Sequence, residues 1–76
     1  MTQPTARFLV QIEFDEESSN WVTFVPALNG ISTFGRTREE ALVMTVELIE
    51  GYLETLAETG QALPKVEVEE VEVAVA

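Results

Sequence analysis

The chain contains neither cysteine nor histidine. Without cysteine it can form no disulfide and no thiolate metal site, and without histidine it lacks the most common zinc ligand and general base. A domain of 76 residues is small, and one of that size buries only about 60% of the surface that its unfolded chain exposes. Self-association is the remaining means of stabilisation, so we expect a homo-oligomer, either a dimer or a tetramer.

Basic residues are scarce: four Lys and Arg stand against 14 Asp and Glu, for a formal net charge of -10. Residues 1–38 hold four acids and three bases, whereas residues 39–76 hold ten acids and a single base, Lys65. A polyanion repels nucleic-acid phosphates, so direct nucleic-acid binding is not expected, whereas a basic protein partner is compatible with this charge. Solubility alone is the alternative explanation.

Long apolar runs are also missing. No segment approaches the length that spans a bilayer, and residues 1–6 lack the basic-then-apolar pattern of a secretory signal. We therefore expect no membrane association and predict a cytoplasmic location.

The strongest positive pattern is a long amphipathic helix between Thr37 and Gly60. Thr37 and Glu40 have the spacing of a capping box, Gly60 suits a left-handed position after the last turn, and Pro64 prevents continuation. Apolar residues at helical spacing predict a stripe that packs on a sheet. The stripe is Leu42, Val46, Ile49, Leu53 and Leu56, widened by Ala41, Thr45, Leu48 and Tyr52. The opposite side carries Glu40, Glu47, Glu50, Glu54 and Glu58.

Four segments have the pattern of strands. Residues 7–14 alternate between apolar and polar, and residues 21–25 are rich in β-forming side chains, so the turn-forming segment between them predicts a hairpin. Residues 31–34 follow an Asn-Gly turn signal and form a short third strand. Residues 66–76 carry alternating valines whose phase changes near residues 69–70, which predicts a fourth strand with a bulge or break.

The predicted order is therefore β-β-β-α-β. We expect an α+β fold in which a three-stranded antiparallel sheet and a C-terminal strand pack against one long helix. No repeat or linker divides the chain, so residues 1–76 are predicted to form a single domain.

The motifs, taken in order, resemble the HicB-like family of small antitoxin domains that pair with HicA toxins. That family has an Asp near the end of its first strand, an aromatic second strand, a Pro-x-Leu-x-Gly loop, a Gly-x-Thr-x-x-Glu-Ala helix start and a closing Gly-x-x-x-Pro. The matching residues are Asp15, Trp21, Pro26, Leu28, Gly30, Gly35, Thr37, Glu40, Ala41, Gly60 and Pro64. The resemblance covers residues 8–64, and the order and spacing of its motifs are more specific than any single motif.

The chain departs from the family pattern at three places. Residues 28–31 read Leu-Asn-Gly-Ile where the family often has Leu-Pro-Gly-Cys, and Ser19 or Asn20 stands where glycine is common. We interpret both as substitutions that a turn tolerates. Met44 stands where the family often has asparagine, which replaces a polar contact on the helix surface.

The resemblance implies a partial RNase H-like β-β-β-α-β fold. It also implies a role in binding a small basic RNA-cleaving toxin and covering the RNA-binding surface of that toxin. Many family members carry a further C-terminal DNA-binding domain, but only twelve residues follow Pro64, too few for a helix-turn-helix, so we expect none in this chain. A stand-alone oligomeric interaction module without a toxin partner is the alternative.

An RNase H-like fold also invites the question of two-metal nuclease chemistry. The acids that could serve it are Glu13, Asp15, Glu16 and Glu17. Residues 15–17 lie in a predicted hairpin loop, where acids are ordinary turn residues. We therefore predict that the chain is not an enzyme, with no catalytic residues, no metal site and no cofactor.

Two sets of residues are predicted to bind other proteins. The acidic helix side is the candidate surface for a basic partner. Val43 and Met44 lie outside the main apolar stripe, and the final valines form an unpaired strand edge, so these are the candidate subunit contacts. The predicted partner-binding residues are Glu47, Glu50, Glu54 and Glu58, and the predicted oligomer contacts are Val43, Met44, Val71, Val73 and Val75.

Overall fold

The structure, a computed structural model, describes residues 6–75. Its elements are β1 (Gln11–Asp15), β2 (Asn20–Val25), β3 (Ile31–Gly35) and α1 (Arg38–Thr59). The strands form one antiparallel sheet in the order β1-β2-β3, and α1 packs on one face of it, mainly against β3 and less against β2. The predicted three-stranded antiparallel sheet with one long helix is confirmed.

The first hairpin forms where the sequence predicts it, but β1 is shorter than the predicted strand over residues 7–14. Pairing starts with Gln11 opposite Phe24, because β2 ends at Val25 and Pro26 offers no N–H to continue the ladder. The turn between β1 and β2 ends at Ser19, whose φ of 57° is left-handed. The family often has glycine at this point, and glycine adopts the left-handed backbone conformation without strain.

The loop between β2 and β3 is a short 3₁₀ turn, Pro26–Leu28, followed by two left-handed residues. Asn29 has a φ of 58° and Gly30 a φ of 68°, and the Gly30 N–H donates to the Val25 carbonyl at 3.0 Å. The side chain of Leu28 is buried beneath this turn. The Asn-Gly signal therefore predicted the turn correctly.

Both predicted ends of α1 are confirmed. The Thr37 hydroxyl accepts the Glu40 N–H at 3.0 Å, and the Glu40 carboxylate reaches back to the N–H of Arg36 at 3.3 Å. Gly60 is left-handed with a φ of 69°, and the N–H of Gln61 donates to the Leu56 carbonyl at 2.9 Å. These bonds satisfy backbone groups that the helix itself leaves unpaired at its ends.

The rotation of α1 about its axis differs from the prediction. The buried helix residues are Ala41 and Thr45, which the sequence assigned only to the margin of the apolar stripe, whereas Val46 at the stripe's centre is 54% exposed. At about 100° per residue, the stripe is turned roughly 80° away from the direction that faces the sheet. The margin of the predicted stripe, Ala41 and Thr45, is therefore what packs most closely on the sheet, and the prediction is wrong for Val46. The other central residues, Leu42, Ile49, Leu53 and Leu56, are half-buried.

Small residues cause this rotation. A Cβ at Gly35 would lie 2.5 Å from the backbone nitrogen of Ala41, so the first turn of α1 sits directly on β3. One turn later, the buried hydroxyls of Thr23 and Thr45 are 2.6 Å apart, and the Thr45 hydroxyl donates to the Ala41 carbonyl at 2.7 Å. This close approach and the buried hydrogen bond between Thr23 and Thr45 hold the side of α1 that carries small side chains against the sheet.

The fourth strand predicted over residues 66–76 is not confirmed. Residues 61–75 contain no strand, their valines are exposed, and Ala76 lies outside the described residues. A strand needs a neighbouring edge for its hydrogen bonds.

The helix is longer than the sheet on which it packs. The 22 residues of α1 span about 33 Å, against about 17–20 Å for a strand of five or six residues, so the helix overhangs the sheet.

Candidate functional site

Four glutamates form an acidic face on α1, and we use that name for Glu47, Glu50, Glu54 and Glu58. All four side chains are exposed. At about 100° per residue they lie within an arc of about 80°, on the side of the helix opposite Ala41 and Thr45. The structure therefore brings the predicted partner-binding residues together on one surface.

The acidic face is not neutralised by its own helix. No basic residue follows Arg38 in α1, and none lies in the last turn. Glu50 with Glu54, and Glu54 with Glu58, are like-charged neighbours that each cost about 0.2–0.5 kcal/mol, and Glu54 and Glu58 also lie near the negative end of the helix dipole. A basic partner would turn this small repulsion into attraction.

Val43 and Met44 are both exposed, by 58% and 41%. Val43 lies within the arc of the acidic face, whereas Met44 is about 100° further round the helix, towards the sheet. The two predicted subunit contacts thus belong to different sides of α1.

The predicted contacts in the C-terminal segment, Val71, Val73 and Val75, are all strongly exposed. The sequence also places them at alternate positions, so an extended backbone would put their side chains on one face. Nothing within residues 6–75 covers them.

The face of the sheet away from the helix carries an apolar cluster that the sequence analysis missed. Val22 and Phe24 on β2 are half-buried, and Phe34 on β3, opposite Val22, is 61% exposed. The sequence contained a signal for this cluster. All of residues 21–25 except Thr23 are apolar, at odd and even positions alike, which is typical of a strand covered on both faces.

The acids considered for nuclease chemistry do not converge. Glu13 accepts a hydrogen bond from the Gln11 amide at 2.6 Å, and Asp15 accepts one from the Ser18 hydroxyl at 2.7 Å. Glu16 and Glu17 are exposed in the turn. Over residues 6–75, no group of three acidic side chains is placed to hold a metal ion.

An open groove of about 510 Å³ lies along the second half of α1, where the helix overhangs the sheet. Leu48, Tyr52 and Leu56 supply its apolar wall, with Gly51 beside them and Gln61 at one end. Among the described residues that line the groove, Glu47 alone is charged. Because small-ligand sites need several converging polar groups, the groove has the character of uncovered helix surface.

None of the helical residues described here forms a segment long and apolar enough to cross a membrane.

Comparison with known proteins gives one family. A family model described as the HicB-like antitoxin of bacterial toxin–antitoxin systems matches residues 8–76. The UPF0150 protein Ta0767 of Thermoplasma acidophilum is 38% identical over 58 residues, which is 76% of this chain and 84% of that protein. No solved structure matches the chain.

Proposed function

Because the chain belongs to the HicB-like antitoxins, we propose that it binds a small basic RNA-cleaving toxin of the HicA type and covers the RNA-binding surface of that toxin. The observation that carries this proposal is the acidic face of α1. The chain then acts by occupancy: its carboxylates take the place of RNA phosphates on the lysines and arginines of the toxin. It needs no catalytic residue, metal or cofactor of its own for this task.

The placement of charge supports a protein partner rather than a nucleic acid. The acidic face is exposed, and it lies on a helix whose opposite side is held firmly against the sheet by Gly35, Thr23 and Thr45. A rigid surface loses little conformational entropy when it binds. Complementary electrostatic fields of the two proteins raise the association rate at low salt, and salt screens them over a Debye length of about 8–10 Å.

An RNA-cleaving toxin acts where RNA is translated, so we place the complex in the cytoplasm.

We further propose that the chain is a single domain that works as a homo-oligomer. The valines at 71, 73 and 75 would pair as a strand with the free edge of another chain's sheet, which would complete the β-β-β-α-β unit of a partial RNase H-like fold. The assignment of Val43 and Met44 as subunit contacts stays a prediction. A stand-alone oligomeric module without a toxin remains the alternative function, favoured by the exposed valines, which need a partner but not a basic one.

Co-expression with the HicA-type toxin that the proposal requires tests the proposal. Charge reversal at Glu50 and Glu54 to lysine should slow association with the toxin at least tenfold at low salt and abolish growth rescue. The fold should survive, because both side chains are exposed and lysine suits the C-terminal half of a helix.

The matched control reverses Glu16 and Glu17 in the β1–β2 turn, which makes the same change in net charge away from α1. This control should rescue growth as wild type does. If wild type fails to rescue, the stand-alone module is the better account. If the Glu50 and Glu54 variant rescues equally well, the acidic face is not the inhibitory surface.

A further inference from the structure

The loop between β2 and β3 holds an asparagine followed by a glycine, Asn29 and Gly30, and both residues are exposed. This pair is chemically labile, because glycine has no side chain to obstruct attack by its own backbone nitrogen. That nitrogen loses its proton and bonds to the Asn29 Cγ, and the bond from Cγ to the side-chain nitrogen breaks. Ammonia leaves with the proton, and a five-membered succinimide remains.

Water then opens the succinimide at either of its two carbonyls. Attack at one carbonyl gives aspartate, which keeps the ordinary backbone. Attack at the other gives isoaspartate, in which the main chain runs through the former side chain and is one atom longer. Both products replace a neutral amide by a carboxylate.

The folded loop blocks this reaction in two ways. Ring closure needs the Gly30 nitrogen and the Asn29 Cβ on the same side of the Cα–C bond, and a ψ of 27° at Asn29 places them on nearly opposite sides. The proton that the nitrogen must lose is also donated to the Val25 carbonyl, at an N to O distance of 3.0 Å. The reaction therefore requires the loop to open.

The two products should differ in their effect on this loop. Val25 and Leu28 are buried, and Val25 pairs with Ile31 directly across the loop. An additional main-chain atom between the paired residues displaces Gly30 from the Val25 carbonyl. Aspartate adds no such atom and, like asparagine, tolerates a left-handed φ.

We propose that Asn29 is a deamidation site that the fold protects, and that its isoaspartyl product prevents the loop between β2 and β3 from closing again. Opening of the loop is reversible, whereas the loss of ammonia is not reversed by refolding. The site therefore converts chains that open often into a form that stays open, while well-folded chains are spared. It lies outside the acidic face, so it does not depend on the existence of a toxin.

Parallel incubation of the purified chain in buffer and in urea, at one pH and one temperature, tests the protection. Mass spectrometry with fragmentation locates each deamidation. Asn29 should be modified at least tenfold more slowly in the folded chain than in urea, because only the open loop reacts. Asn20 is the internal control, since the bulky Trp21 follows it and should keep its reaction slow in urea as well.

Two variants separate the chemistry from its structural effect. Asn29→Gly removes the reactive amide and keeps a residue that is left-handed without strain, so rapid deamidation in urea should disappear. Asn29→Asp reproduces the aspartyl product and should unfold at nearly the same urea concentration as wild type. The isoaspartyl chain, separated by chromatography after incubation, should unfold at a lower urea concentration than Asn29→Asp.

Three results would overturn the proposal: equal deamidation rates for Asn29 in buffer and in urea, deamidation in urea that is no faster at Asn29 than at Asn20, or an isoaspartyl chain as resistant to urea as Asn29→Asp. The first would remove the protection by the fold, the second the site, and the third its effect on the loop.

Discussion

Gly35 is the position at which the packing of α1 can be tested most sharply. A Cβ there would meet the Ala41 nitrogen at 2.5 Å, and the Ala41 Cα and the Glu40 carbonyl carbon at 2.9 Å each. All three atoms are backbone, and the Thr37 cap holds this turn in place. Gly35→Ala must therefore lift the start of the helix from β3.

The expected loss follows from overpacking, which costs about 1–3 kcal/mol of unfolding free energy. A domain of this length has a total stability of roughly 4–11 kcal/mol, so the loss is a large fraction of it. Urea denaturation can follow the change through the single Trp21, which lies opposite Gly35 in the sheet. All variants must be compared at one protein concentration, because self-association shifts the apparent stability.

Gly51→Ala is the matched control. Gly51 lies inside α1, and an added Cβ would meet nothing within 4 Å. Alanine there should stabilise the chain by about 0.8–1.0 kcal/mol, because glycine is a poor helix former. The same substitution should thus have opposite signs at the two glycines. A Gly35→Ala variant as stable as wild type would refute the account of how the helix is positioned.

Two further predictions concern the buried hydrogen bond and the C-terminal valines. Thr45→Val should cost about 1 kcal/mol in urea denaturation, because Thr23 then keeps only a 3.4 Å contact to the Thr33 carbonyl. Thr23→Val should cost less, because the Thr45 hydroxyl still donates to the Ala41 carbonyl. Equal losses would contradict the assignment in which Thr23 donates to Thr45 and Thr45 donates to Ala41. Val73→Glu should lower the mass measured by light scattering at micromolar concentration, and an unchanged mass would remove the final valines from the interface.

The ends of the helix and the turns could be predicted because their signals are local. Thr37 and Gly60 cap α1 where their types and spacing indicate, and Gly30 turns as its sequence suggests. Such positions depend on the conformational preference of one or two residues, which the rest of the fold does not change.

The rotation of α1 could not be predicted from hydrophobicity. A periodicity argument assigns the largest apolar side chains to the core. Here the contact is made by Gly35, Ala41 and Thr45, which matter because they are small and, for Thr45, because Thr23 faces it. The prediction of a fourth strand was not confirmed for a related reason. Alternating valines indicate that a segment can form a strand, but not which strand edge it pairs with.

The loop before β3 also changes the interpretation of one family difference. The family often has proline where this chain has Asn29, whose φ is 58°. Proline is restricted to a φ of about −65°, so it could not take this conformation. The turn in this chain is therefore built differently, rather than being the same turn with a tolerated substitution.

We propose above all that the chain neutralises a basic RNA-cleaving toxin by occupancy. The most direct measurement titrates the purified chain into the HicA-type toxin that the proposal requires, while RNA cleavage and the association rate are recorded over a range of salt concentrations. The account predicts that cleavage stops at a fixed stoichiometry and that the association rate falls steeply as salt rises. Undiminished cleavage with a micromolar excess of the chain, or an association rate that salt does not change, would contradict it.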